Sequence, residues 1–157
     1  MNMMEVLGAL LIGLMITAAT AVYMNSGFSK SKVNSLEQDV VTVRMQIQQL
    51  FSGSPDYSGL DNDTAIKAGV VPKSLIKGNS LKTPWGGEIN LSTNDANGSF
   101  TIELSGIPQD ECTQLAKFQT DAWLSVSVNG NLLDSDNTVA DIVNSCTSNN
   151  TIAYEAR

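Results

Sequence analysis

The chain has 157 residues, which suits one domain of ordinary size, with 42% hydrophobic residues and a formal charge of −7 from 9 basic and 16 acidic side chains. From Val33 onward 15 acids face 7 bases, so the surface offers no cluster of Lys and Arg for nucleic acid. Histidine is absent, which removes the commonest general base and the commonest metal ligand. The two cysteines, Cys112 and Cys146, read as free thiols in a reducing compartment and as a disulfide in an exported protein.

Val6 to Met24 is a run of 19 residues without a charge. As a helix it is about 28 Å long, close to the hydrocarbon thickness of a bilayer. Glu5 is the one charge at its mouth, and no Lys or Arg precedes Lys30. Three readings compete. A cleavable signal peptide needs a basic n-region, which is missing. An ordinary single-pass anchor has no use for a carboxylate at position 5, which is costly in a membrane unless paired. The third is a segment whose basic leader has been removed, so that Met1 is the mature N-terminus.

After a polar stretch, Val33, Leu36, Val40, Val43, Ile47 and Leu50 recur at spacings of three and four, which places them on one face of a helix. This stripe is expected to pack on the head. With the apolar run it makes a helix of about 50 residues, roughly 75 Å long. Its first half, residues 1–24, is apolar, and its second half, residues 25–52, is amphipathic. Ser52-Gly53-Ser54-Pro55 is its stop, and 53–157 reads as a globular head.

The head reads as α+β. A short helix Asp63–Ala68 follows Asn62 as N-cap, with Gly69 as its stop. Pro84-Trp85-Gly86-Gly87 is a turn. Glu88–Ser92 and Ser99–Ser105 alternate as strands around an Asn97-Gly98 turn, with Phe100, Ile102 and Leu104 on one face. Pro108 opens a helix running to about Asp121, with Asp110 and Glu111 in its first turn. Leu124, Val126 and Val128 alternate as a third strand before an Asn129-Gly130 turn. Asn137–Ser145 reads as helix and Thr151–Ala156 as the last strand. Three or four antiparallel strands are thus expected against the long helix.

No nucleophile–base pair or metal set is visible, so an enzyme is not expected and no cofactor is implied. The acids Asp110/Glu111 and Asp134/Asp136 lack EF-hand spacing and suit helix starts and loops. Trp85 and Trp123 suit a core better than a binding platform. Asn62-Asp63-Thr64, Asn97-Gly98-Ser99 and Asn149-Asn150-Thr151 match the glycosylation sequon and read as turns.

A long N-terminal helix opening on an apolar run with Glu at position 5 resembles type IV pilins, and Met as first mature residue resembles their b class. Ala65-Ile66-Lys67-Ala68-Gly69-Val70-Val71-Pro72-Lys73-Ser74, followed by Pro84-Trp85-Gly86-Gly87-Glu88-Ile89, resembles the pilins of conjugative-plasmid thin pili and bundle-forming pilins. Gly106-Ile107-Pro108-Gln109-Asp110-Glu111-Cys112 and Cys146 extend the match. The resemblance implies a subunit cleaved before Met1 and N-methylated by a prepilin peptidase. Inner-membrane assembly machinery would then polymerise it with itself into an extracellular pilus (fimbrium) that meets a host or recipient-cell surface. It implies a filament core of Val6, Leu7, Leu10, Leu11 and Leu14 and their neighbours, with the Met1 amine of one subunit offsetting the buried charge of Glu5 on another. In that context Cys112 and Cys146 would close a loop of about 35 residues. A minor pilin or secretion pseudopilin shares this plan. A singly anchored periplasmic ligand-binding domain is the rival of another class.

Overall fold

The computed structural model describes residues 31–157. Met1, Glu5 and the expected filament-core positions Val6, Leu7, Leu10, Leu11 and Leu14 lie outside the described residues, as does the whole run to Met24. Among the described residues no helix is long and apolar enough to cross a membrane.

Residues 31–50 are helical (α1). Val33, Leu36, Val40, Val43 and Ile47 are each at most 3% exposed. Leu50, expected on the same face, is 45% exposed. The reason is geometric. A stripe of alternating threes and fours drifts around a straight helix by about 20° per heptad, so its last member leaves the packing face. Phe51 takes over at that point: its ring lies 5.4 Å from that of Tyr57, which in turn lies 4.7 Å from the buried Phe100. Gly53, at φ +87, then turns the chain away.

Residues 35–157 form one compact unit. After α1 come α2 (Asn62–Lys67), a small hairpin of β1 (Ile76–Lys77) and β2 (Ser80–Leu81), then β3 (Ile89–Asn94) and β4 (Ser99–Ile107). These are followed by α3 (Gln109–Lys117), β5 (Ser125–Val128), β6 (Asn131–Leu132), α4 (Val139–Ser145) and β7 (Asn150–Ala156). The main sheet has five antiparallel strands in the order β3-β4-β7-β5-β6. The C-terminal strand therefore lies in the middle.

Register explains the core. Leu91, Ile102, Tyr154 and Val126 are cross-strand partners in one row, and Ile89, Leu104, Ile152 and Val128 form the next. All eight are buried. Residues between them, such as Thr101, Glu103, Ala153 and Ser127, point to the other face and stay partly exposed. Each fully buried aliphatic side chain contributes about 1.5–3 kcal/mol, so these two rows and the α1 stripe are a large part of the core.

Three expectations shift. The cap of α2 is Asp61, whose carboxylate accepts from Thr64 N at 2.7 Å; Asn62 is the first helical residue. Helix α3 ends at Lys117 rather than near Asp121, because Gln119 takes a left-handed φ of +47 and a short 3-10 turn follows. That turn breaks the alternation ahead of β5. Trp123 is buried in place of Leu124, which is 48% exposed. The hairpin β1–β2 and the two-residue β6 were too short to leave a period-two pattern.

Candidate assembly surface

Cys112 lies in the first turn of α3 and Cys146 caps α4. They form a disulfide with Cα atoms 6.0 Å apart, and both are buried. The bond staples residues 112–146, which contribute β5 and β6 to the sheet edge and place α4 beside α3. Helix α4 starts in a capping box: Thr138 accepts from Asp141 N, and the Asp141 carboxylate accepts from Thr138 N at 2.9 Å. That backbone donor, with the Thr138 hydroxyl, holds the Asp141 carboxyl below the usual carboxylate range.

Between α4 and β5 lies a groove of about 430 Å³, lined in part by Lys117, Asp121, Leu124, Asp134 and Val139. The stapled segment exposes apolar side chains, Leu124 at 48% and Val139 at 53% in the groove's lining, and Leu132 at 69% and Val143 at 47%. The same segment carries four aspartates (Asp121, Asp134, Asp136, Asp141) against one lysine, Lys117. The loop Asp134–Asn137 closes on itself, since Asp134 Oδ1 accepts from Asp136 N and Asn137 Oδ1 accepts from Asp134 N.

The chain carries the opposite charge elsewhere. Between residues 67 and 82 there are four lysines and no acid. Lys67 pairs with Asp63 at 2.8 Å and Lys82 with Glu88 at 3.4 Å, while Lys73 and Lys77 are exposed. Beside this segment Ser74 donates to Asp39 of α1 at 3.0 Å.

The expected aromatics divide. Trp123 is buried between Tyr154, at 4.8 Å between ring centroids, and the guanidinium of Arg44 on α1, 4.8 Å above its ring. Trp85 is partly exposed on its turn. The Tyr154 hydroxyl donates to the Leu115 carbonyl, and burial pushes its pKa far above the ordinary phenol value. Among the described residues no group of three or more His, Cys, Asp or Glu could hold a metal. The sequence pattern puts Leu124 on a strand face with Val126 and Val128 and does not single out Leu132, Val139 or Val143, since a leucine or valine in sequence does not declare whether it is inside. The acid-free lysine run was legible as composition.

Comparison with known proteins agrees with this architecture. Residues 30–156 match the family model described as PilS N terminal. The major structural subunits of bundle-forming pilus from Escherichia coli O127:H6 and from Escherichia coli O111:H- are each 23% identical over 120 residues, covering 74% of this chain. The match spans 62% of the length of those relatives. The crystal structure of TcpA, a type IV pilin from Vibrio cholerae El Tor biotype, has a TM-score of 0.56 at 16% identity, over 81% of this chain and 99% of that one. That likeness establishes a shared fold, a helix packed on an antiparallel sheet. The chain belongs to the PilS N-terminal family of type IV pilins.

Proposed function

We propose that this protein is a structural subunit that polymerises with itself into an extracellular type IV pilus of the b class, serving adhesion, aggregation or conjugative mating. The observation that carries the reading is that the family match runs through residues 30–156, taking in the helix and the stapled head together. In this reading the apolar run Val6–Met24 holds the subunit in the inner membrane before assembly and then forms the filament core with its neighbours. Val6, Leu7, Leu10, Leu11 and Leu14 are core positions in that scheme. Glu5 and the Met1 amine would set axial register, because a buried carboxylate is several kcal/mol more costly alone than paired, and the pair meets only in one alignment.

Two exposed segments of opposite charge favour this reading: Lys73 and Lys77 lie in a stretch without acids, and the stapled segment carries exposed aspartates and apolar side chains that could take them up from a neighbouring copy. Such a pair is heterologous: copy after copy can join head to tail without closing, which builds a filament. The test is electron microscopy of sheared cell-surface material with mass spectrometry of the native N-terminus. An abundant chain beginning at methylated Met1 in thin filaments is the expected result. Trace amounts in filaments would mean a minor pilin or pseudopilin. A membrane-retained chain with a basic segment upstream would mean an anchored periplasmic domain.

A further inference from the structure

The head carries two Asn-Gly turns, Asn97-Gly98 and Asn129-Gly130, and holds their side chains differently. Asn129 is tied down. Its amide nitrogen donates to Ser145 O at 3.0 Å and to Asn150 Oδ1 at 2.9 Å, and its oxygen accepts from Thr151 N at 2.9 Å. Asn150 is itself 1% exposed and is bonded to Ile107 O and to Thr147. Asn97 sits on an exposed turn, with one long bond from its amide to Glu155 Oε1 at 3.4 Å. The next backbone N–H, of Gly98, donates to Asp95 O at a long 3.4 Å, and glycine puts no Cβ in the way.

We propose that Asn97 is a self-modification site: it converts spontaneously to aspartate and isoaspartate, while Asn129 is protected. Asparagine is among the chemically labile residues, and an asparagine followed by glycine is the least hindered case. The Gly98 nitrogen loses its proton and attacks the Asn97 Cγ. The Cγ–N bond breaks, ammonia leaves, and a five-membered succinimide remains. Water then opens the ring at one carbonyl to give aspartate, or at the other to give isoaspartate. The product matters because of its neighbours. Glu155 Oε1 also accepts from Ser99 Oγ at 2.7 Å, and its Oε2 accepts from Ser125 Oγ at 3.2 Å. A new carboxylate there replaces a donor with a like charge. The isoaspartyl form also lengthens the backbone beside the Asn97 carbonyl, which accepts from Arg157 Nε at 3.3 Å. Modification would thus loosen the end of the central strand and mark old subunits.

The test is incubation of the folded, disulfide-intact protein at neutral pH and body temperature, followed by peptide mass spectrometry, with the reduced, urea-unfolded chain beside it. The expected result is a gain of one mass unit in the Asn97 peptide that is at least about tenfold faster than in the Asn129 peptide, because Asn129 must first break several hydrogen bonds. In the unfolded chain the two rates should converge, and N97Q should abolish the native signal. Equal rates at the two sites in the folded protein would overturn the proposal. So would an Asn97 peptide that stays intact when folded but converts when unfolded.

Discussion

Asn62 is the side chain that most rewards a close look. Its Nδ2 donates to Ile89 O at 2.8 Å and its Oδ1 accepts from Leu91 N at 2.7 Å. One amide thereby satisfies two backbone groups on the outer edge of β3, which would otherwise invite another strand. Asn62→Ala should lower stability by about 1–3 kcal/mol, because it leaves those groups unsatisfied; urea denaturation monitored by circular dichroism measures it. Glu37, partly buried on α1, behaves in the opposite sense. Burial raises its carboxyl above 4.5. The folded state then holds that proton more tightly than the unfolded chain, so this group favours folding in acid and loses that contribution as pH rises from the unfolded value through the raised one. Glu37→Gln is expected to melt higher than wild type at neutral pH and equally below the unfolded carboxyl range; thermal melts across pH decide it.

At the level of elements, two joints hold the head together. The first is the disulfide, which spans a sequence separation of 34. Restricting the unfolded chain by a loop of that size is worth about 4 kcal/mol. Replacing both cysteines by serine should lower stability by roughly that amount, with the loss read by urea midpoint under oxidising conditions; reductant should then have no further effect on the variant. The second joint is the contact of the Pro84–Gly87 turn with the bulge in β4 between Leu104 and Ile107. A Cβ on Gly87 would overlap the Ser105 carbonyl oxygen and lie 2.9 Å from Gly106 Cα. Both are backbone atoms that cannot swing aside. Gly87→Ala should therefore cost about 3 kcal/mol or more, at the upper end for overpacking, and its melting temperature is the readout.

For the whole molecule, charge is the property that reaches beyond one copy. Lys73 and Lys77 face outward from a segment without acids, and the stapled segment presents four aspartates. If these surfaces meet between subunits, reversing both lysines to glutamate should reduce surface filaments severalfold without changing the head's melting temperature. Asp134→Lys with Asp136→Lys should restore them in part, as expected for opposed charges within a Debye length of about 10 Å. Filament yield by electron microscopy, compared at low and high salt, decides the point.

Much of the architecture was legible from local pattern. The α1 stripe, the β3–β4 hairpin, the Pro108 helix start and the C-terminal strand all follow from periodicity and turn chemistry, which act over a few residues. The disulfide followed from an even cysteine pair once export was implied. Local rules do not say which strands become neighbours. The C-terminal strand inserts between β4 and β5 because its alternating face, Ile152 and Tyr154, completes buried rows that strands distant in sequence began. The same non-local packing buries Trp123 and exposes Leu124 and Leu50, although side chains of this kind look alike in a sequence. It also decides which Asn-Gly turn is clamped. Helix, strands and charge segregation depend on neighbours along the chain, so they are written into the order of residues. Strand order, and the choice of which apolar and polar groups stay at the surface, depend on contacts that exist only once the sheet has closed.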